Sequence, residues 1–272
     1  MTRAAATAKL NLALVVGPLR DDGKHEVATV LQRLAIADRV ELRPAPALVV
    51  DGFVDDTLVR EALGALAAAA GVQPRWRARI TKRIPVASGL GGGSSDAATA
   101  LRLANATLPE PLGMDRLHAL ARGLGADVPF FLADGPQLGE GEGSELSALD
   151  LPQDYFVLLF LPNGAAKTAT ASVYFEFDRR EGANGFDERR AALLDALERV
   201  RRPRDLAALP LNDLVSSPFA DELRALGAFR ADVSGAGPIV YGLFHHREAA
   251  DRARRTFGRR GRCWVTAPAW YG

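Results

Sequence analysis

The chain holds a single cysteine, Cys263, among 272 residues. One thiol excludes an intramolecular disulfide and any site built from several cysteine thiolates, and it suits a reducing compartment. A dominant charge sign is missing too: 34 Lys and Arg face 33 Asp and Glu, leaving a net +1. With no bulk field, neither nucleic acid nor a membrane surface is expected as a partner. Long apolar runs are also lacking. The most apolar stretch, YFVLLFLP from Tyr155 to Pro162, is far short of the roughly 20 residues that span a bilayer and reads as a buried strand. Near the start, Lys9 and Asn11 interrupt the apolar core that a secretory signal needs, so a cytoplasmic location is expected. A G-x-x-x-x-G-K-[ST] phosphate loop is absent as well.

What is present is periodicity and glycine. AKLNLALVV alternates Leu10, Leu12 and Leu14 with other residues, the mark of a strand with one face in a core, and places Lys9 and Asn11 on the opposite, outward face. LRDDGKHEV carries turn chemistry, and VATVLQRLAIADRVELRPA reads as a short helix or strand passing into a strand. Residues 56–70 form a leucine and alanine helix, and RWRARITKRIP is a strand closed by Pro85. Then comes SGLGGGSSDAA, Ser88 to Ala98, feeding directly into a helix with Ser94, Ser95 or Asp96 available as N-cap. A flexible linker would not run straight into a capped helix. A glycine loop between strand and helix lets backbone N–H groups approach a phosphate.

Further on, MDRLHALARGLG is helical and GEGEGSELSALDLP reads as a loop and domain boundary, giving domains of 1–150 and 151–272. The second holds helices over 187–200, 217–226 and 247–257 and a closing strand, CWVTAPAW; RREGANGFDERR is a solvated loop leading into the first of these helices. Strands and helices mixed in each half give an α+β class.

The run P-x-x-x-G-L-G-x-x-S-S, with Pro85, Gly89, Leu90, Gly91, Gly92, Gly93, Ser94 and Ser95, resembles the phosphate loop of the GHMP small-molecule kinases. The resemblance extends along the chain through AKLNL, DGKHEV, GLGGGSSDAA, GADVPFFL, NDL and SGAGPIVYGLF, and sharpens to the branch acting on cytidine-diphosphate-linked methylerythritol in non-mevalonate isoprenoid synthesis. It implies a two-domain fold, the first domain like ribosomal protein S5 domain 2 and the second ferredoxin-like, with the active site between them. It further implies ATP and Mg2+, a small-molecule substrate phosphorylated at its C2 hydroxyl, and a monomer or weak homodimer.

By the same resemblance Asp127 and Lys9 are the catalytic pair: the carboxylate takes the hydroxyl proton, and the ammonium keeps it ionised and draws in the hydroxyl. Asn11, His25 and Thr170 line the substrate site, Tyr174 stacks on the cytosine, and Ser95 is the protein oxygen expected nearest magnesium. Taken by itself, Tyr174 would read as a half-buried strand aromatic. Two departures concern the substrate more than the reaction. Lys24 stands where this branch usually has tyrosine, and Glu140 stands in GEGE where arginine is often found, a reversal the sequence does not explain. Two other readings remain: a GHMP-type kinase of another small alcohol, which Lys24 favours, and a catalytically silent nucleotide-binding regulator, which the presence of both Lys9 and Asp127 disfavours.

Overall fold

Two long paired strands open the chain, β1 (Thr2–Leu19) and β2 (His25–Pro44). The computed structural model describes residues 1–53, 57–165 and 169–269. Its contacts divide into two units, Met1–Ala8, Ile36–Val86 and Gly91–Asp134 in the first, Lys9–Ala35, Ala87–Leu90 and Gly135–Gly272 in the second. Each long strand is therefore shared between the units. The residues after Val27 form a continuous strand rather than a short helix, because the valine-rich run is buried from Val27 to Leu34 and both faces of the strand are covered.

In the first unit β3 (Val49–Asp51) pairs parallel with β4 (Trp76–Thr81), and β4 pairs antiparallel with residues 39–44 of β2. Helix α1 (Thr57–Ala69) covers all but the ends of the expected helix; Asp56 lies outside the described residues. It packs on α2 (Gly92–Asn105) and α3 (Met114–Leu124). Helix α2 buries Ala97, Ala98, Ala100, Leu101 and Ala104. Its small side chains let α1 approach closely and bury Leu63 and Leu66, each worth about 1.5–3 kcal/mol of apolar transfer.

In the second unit, residues 29–31 of β2 pair with β5 (Gln137–Glu140), which turns back into β6 (Glu145–Ala148). The GEGEG stretch is thus a hairpin, not the loop expected there: its glycines make the turn and its flanks pair. A four-stranded antiparallel sheet follows in the order β10-β7-β9-β8, formed by β7 (Phe156–Pro162), β8 (Arg230–Val233), β9 (Val240–Phe244) and β10 (Gly261–Thr266). β10 stops short of Pro268, and Trp270 lies outside the described residues. Helices α4 (Thr170–Arg179) and α5 (Phe186–Arg199) come between β7 and β8. Helices α6 (Pro218–Ala225) and α7 (Arg247–Phe257) pack on the sheet over a core containing Phe160, Leu223, Phe244 and Phe257. From β9, Tyr241 reaches out of the sheet and its hydroxyl donates to the Leu12 carbonyl at 3.2 Å.

Cys263 sits half-buried on β10 beside that core, opposite Phe160 of β7. Burial pushes its thiol up to about 11, against a small opposing effect of Arg254. At pH 8 we therefore expect iodoacetamide to alkylate native protein about 100-fold more slowly than the urea-unfolded chain, because the thiolate is the nucleophile. Labelling rates within a factor of about three of each other would contradict this.

Candidate active site

Alternation along β1 is real, but the face carrying Lys9 and Asn11 is not solvated: they are 5% and 6% exposed. A lysine buried at that depth needs partners for its charge. Its Nζ donates to Asn11 Oδ1 at 2.7 Å, and Asn11 Nδ2 donates in turn to Thr29 Oγ1 at 2.8 Å. Thr29 completes the chain by donating to the Ala13 carbonyl at 2.8 Å. Two glycine turns of the second unit border this pair. From the first, the Leu90 carbonyl accepts the Lys9 backbone N–H at 3.0 Å. From the second, Ser234 Oγ accepts the Asn11 backbone N–H at 3.3 Å and donates to the Gly89 carbonyl at 3.4 Å.

Gly89 has φ +85°, and a Cβ there would lie 2.7 Å from the Ser234 carbonyl oxygen and 2.9 Å from that of Gly237. Only glycine permits this approach of one backbone to another. A Cβ on Gly235 would lie 3.2 Å from Asn11 Oδ1 and 3.7 Å from Lys9 Nζ, so this turn also closes over the buried lysine.

In the first unit, Pro85 is buried after β4, and the remainder of the glycine loop forms the start of α2. The N-cap is Gly91, in left-handed conformation at φ 68°, with no side chain capping the helix. Ser94, Ser95 and Asp96, expected as caps, lie instead inside the first turns, since the glycine turn starts the helix early. Uncapped N–H groups at a helix start favour an anion. At Gly93 a Cβ would meet nothing within 4 Å, which leaves that side of the loop open. Beneath it, Lys82 Nζ lies 2.5 Å from Asp38 Oδ2 and 2.7 Å from Asp96 Oδ2, both carboxylates fully buried. Burial alone would lower the Lys82 pKa, but Asp96 and Asp38 outweigh it and the net shift is upward. A Cβ on Gly92 would sit 3.3 Å from Lys82 Nζ, so this cluster underlies the first residue of the helix. Sequence reasoning missed Lys82; its place in ITKRIP carries no pattern that distinguishes it from a surface lysine.

Asp127 is half-buried in the turn after α3, directly before the 3-10 turn Pro129–Phe131, which packs on α2. It belongs to the first unit with Gly91–Ser95, whereas Lys9 and Asn11 belong to the second with Gly89 and Leu90. Ser95 is buried in the first turn of α2. Among the described residues no group of three or more His, Cys, Asp or Glu could hold a metal.

His25 and Tyr174 are brought together: their rings stack at 4.8 Å and 26°, with Phe177 against the His25 edge at 5.9 Å. Tyr174 lies on helix α4, not on a strand, and Thr170 is exposed one turn before it. His25 Nδ1 donates to the Gly17 carbonyl at 2.9 Å, and its Nε2 is 3.4 Å from Asp178 Oδ2. Lys24 is turned to Glu142 Oε1 at 3.6 Å. Glu140 also finds a partner, since Arg190 Nε donates to its Oε1 at 2.9 Å and Nη2 to the same oxygen. The unexplained acid in GEGE is thus one half of a pair whose cation comes from α5.

Comparison with known proteins gives the chain's family and fold. The GHMP kinases N terminal domain model matches residues 57–135 and the GHMP kinases C terminal model residues 217–263. A 4-diphosphocytidyl-2-C-methyl-D-erythritol kinase of Anaeromyxobacter sp. (strain Fw109-5) is 38% identical over 92% of this chain and 85% of its own length. One from Geobacter sulfurreducens is 35% identical over 96% of both chains. A crystal structure of 4-(cytidine 5'-diphospho)-2C-methyl-D-erythritol kinase superposes with TM-score 0.81 at 33% identity, covering 99% of this chain and 100% of the other. A mevalonate kinase at 13% identity and TM-score 0.75, covering 98% of this chain and 99% of the other, shares the fold.

Removing the ammonium under the loop would take the cation away from two buried carboxylates. Lys82→Met is expected to lower the unfolding free energy at pH 7 by about 3–5 kcal/mol, the usual cost of breaking a buried ion pair. Because the folded Lys82 pKa is raised, its contribution is complete below the unfolded value near 10.4 and fades as pH climbs through the higher folded value. Urea titrations at pH 7 and in alkali measure both; a loss under about 1 kcal/mol at pH 7 would refute the role.

Proposed function

The chain belongs to the GHMP kinases and, within them, to the 4-diphosphocytidyl-2-C-methyl-D-erythritol kinases, and from that premise we propose that it transfers the γ-phosphoryl group of ATP to the C2 hydroxyl of 4-diphosphocytidyl-2-C-methyl-D-erythritol. The observation that carries this reading is the buried Lys9, bonded to Asn11 and bordered by two glycine turns. No packing need puts an ammonium there, whereas phosphoryl transfer needs fixed positive charge and a positioned hydroxyl. The residue 150 boundary is part of the proposal; the two family-model matches, 57–135 and 217–263, fall on either side of it.

In this reading the uncapped N–H groups at the start of α2 and the backbone of Gly89, Leu90, Gly91, Gly92 and Gly93 receive the phosphates, with Pro85 setting the entry to the loop and Ser94 lining it. Bound magnesium would neutralise charge on the phosphoryl oxygens, with Ser95 the protein oxygen nearest to it. Asp127 accepts the proton of the C2 hydroxyl as the oxygen attacks phosphorus, and Lys9 holds that hydroxyl and the charge near it. Asn11 binds substrate hydroxyls, His25 meets the cytosine edge, and Tyr174, held by its stack on His25, is the base's stacking partner, with Thr170 at the rim.

The reading is tested by assaying purified protein with ATP, magnesium and the cytidine substrate beside a panel of other small alcohols. Turnover of another alcohol alone would leave the reaction and remove the substrate. Asp127→Asn should lower kcat by about 100- to 10,000-fold while ATP still binds, because an amide keeps the shape but takes no proton. A variant with near-normal kcat would exclude Asp127 as the base. Tyr174→Ala should raise KM for the cytidine substrate by roughly 5- to 150-fold, the equivalent of one lost base–aromatic stack, and leave KM for ATP alone. Equal KM values for wild type and variant would put the base elsewhere.

A further inference from the structure

The motif Asn212-Asp213-Leu214 lies far from the glycine loop in sequence, yet it is tied to the 234–238 turn that borders Lys9 and to the strand that carries Lys9. Asn212 Nδ2 donates to two backbone carbonyls, Val233 at 2.9 Å and Gly235 at 2.7 Å. Its Oδ1 accepts the Leu214 N–H at 2.8 Å, and its own backbone N–H donates to Asp232 Oδ2 at 2.8 Å. Three of these four bonds go to the end of β8 and the turn that follows, and the fourth, from Leu214, folds the segment back on Asn212. Asp213 attaches the same segment to β1: its N–H donates to the Leu14 carbonyl at 2.9 Å, and its Oδ2 accepts the Val16 N–H at 2.9 Å and Arg189 Nε at 3.0 Å.

The turn so fastened, Ser234–Pro238, is the one whose carbonyls fill the space beside Gly89 and whose Gly235 approaches Asn11 and Lys9. It also receives the Gly237 N–H on the Ser234 carbonyl at 3.0 Å, and the Ile239 N–H behind it donates to the Ser88 carbonyl at 3.3 Å. We propose that Asn212 is a positioning residue for phosphoryl transfer: by holding the Gly235 and Val233 carbonyls it sets the 234–238 turn, and that turn sets the Ser88–Leu90 part of the phosphate loop and the Lys9–Asn11 pair. Asp213 fixes the other end, on the strand that carries Lys9. This rests on the kinase reading above.

The chemistry explains why an asparagine is needed. Only a carboxamide offers two N–H donors and an acceptor on one short side chain. An aspartate keeps the size and the acceptor for Leu214, but it sets a carboxylate against two carbonyl oxygens. The turn would then move away from Asn212, and with it the carbonyls that meet Gly89.

The test compares Asn212→Asp with Ser234→Ala, which removes only the hydroxyl joining the turn to Gly89 and Asn11, and with Phe257→Ala. Phe257 is fully buried where α7 packs on the same sheet, edge-on to Phe160 and Phe219, so its loss destabilises the unit while the hydrogen bonds of Asn212 and of the 234–238 turn stay in place. ATP affinity is read by calorimetry, KM and kcat by assay, and stability by thermal unfolding. Asn212→Asp should weaken ATP binding about 10- to 100-fold and Ser234→Ala about 3- to 10-fold, matching the loss of a satisfied buried donor and of one hydrogen bond. Phe257→Ala should lower Tm at least as much while ATP affinity holds. If Asn212→Asp does not fold, Ser234→Ala and Phe257→Ala decide. Wild-type ATP affinity in both turn variants, or an equal loss in Phe257→Ala, would overturn the proposal and leave the kinase reading standing. Wild-type protein that neither binds ATP nor turns over substrate would end both.

Discussion

Everything around the buried Lys9 depends on a contact that has no room for a side chain. At Gly89 the backbone passes so close to the Ser234 and Gly237 carbonyls that a Cβ would stand 2.7 and 2.9 Å from them. Glycine's positive φ and missing Cβ are used there together. Because the approach is backbone to backbone, it transmits position stiffly. A shift of the 234–238 turn cannot be absorbed by a side-chain rotation, so whatever fixes that turn also fixes the loop. The same turn closes over Lys9, whose buried ammonium donates to Asn11.

Both units bury cations and use them differently. In the second unit the Lys9 ammonium donates to a neutral amide, the side chain of Asn11. In the first unit Lys82 is enclosed by two carboxylates, so the charge beneath the start of α2 is already answered. Lys82 therefore supports the helix start, while the uncapped N–H groups above it remain the electropositive feature. Arg230 is a third case: its guanidinium bonds three carbonyl oxygens and a tyrosine hydroxyl, which makes it a brace for the sheet.

The two departures from the family pattern also resolve by pairing. Glu140 is answered by Arg190 and Lys24 by Glu142, each across elements of the second unit. Lys24 is half-exposed and salt-bridged at its rim, a pair of small energetic worth, so a base could draw its ammonium away at little cost. Glu140, gripped by the guanidinium of Arg190, is part of how α5 is seated on the hairpin. The first departure is an exposed ion pair and the second is part of the scaffold.

How much of this the sequence determined by itself follows from the range of the interactions. Strand periodicity in AKLNLALVV, the glycine run from Gly89 to Gly93, the α7 boundaries at Arg247 and Phe257, and the family motifs are all local, and a chain of L-residues expresses them wherever it packs. Those signals were enough for the α+β class and the kinase family. Tertiary structure decided what faced what. It buried the supposedly outward Lys9 and Asn11, turned the loop at GEGEG into a hairpin and put Tyr174 on a helix against His25. It joined Glu140 to a cation 50 residues away and Asn212 to a carbonyl 23 residues away. No period or propensity encodes such pairs, because a side chain's hydrogen-bond partner is whichever segment the fold packs beside it, and that is settled by burial of the whole chain rather than by its neighbours in sequence.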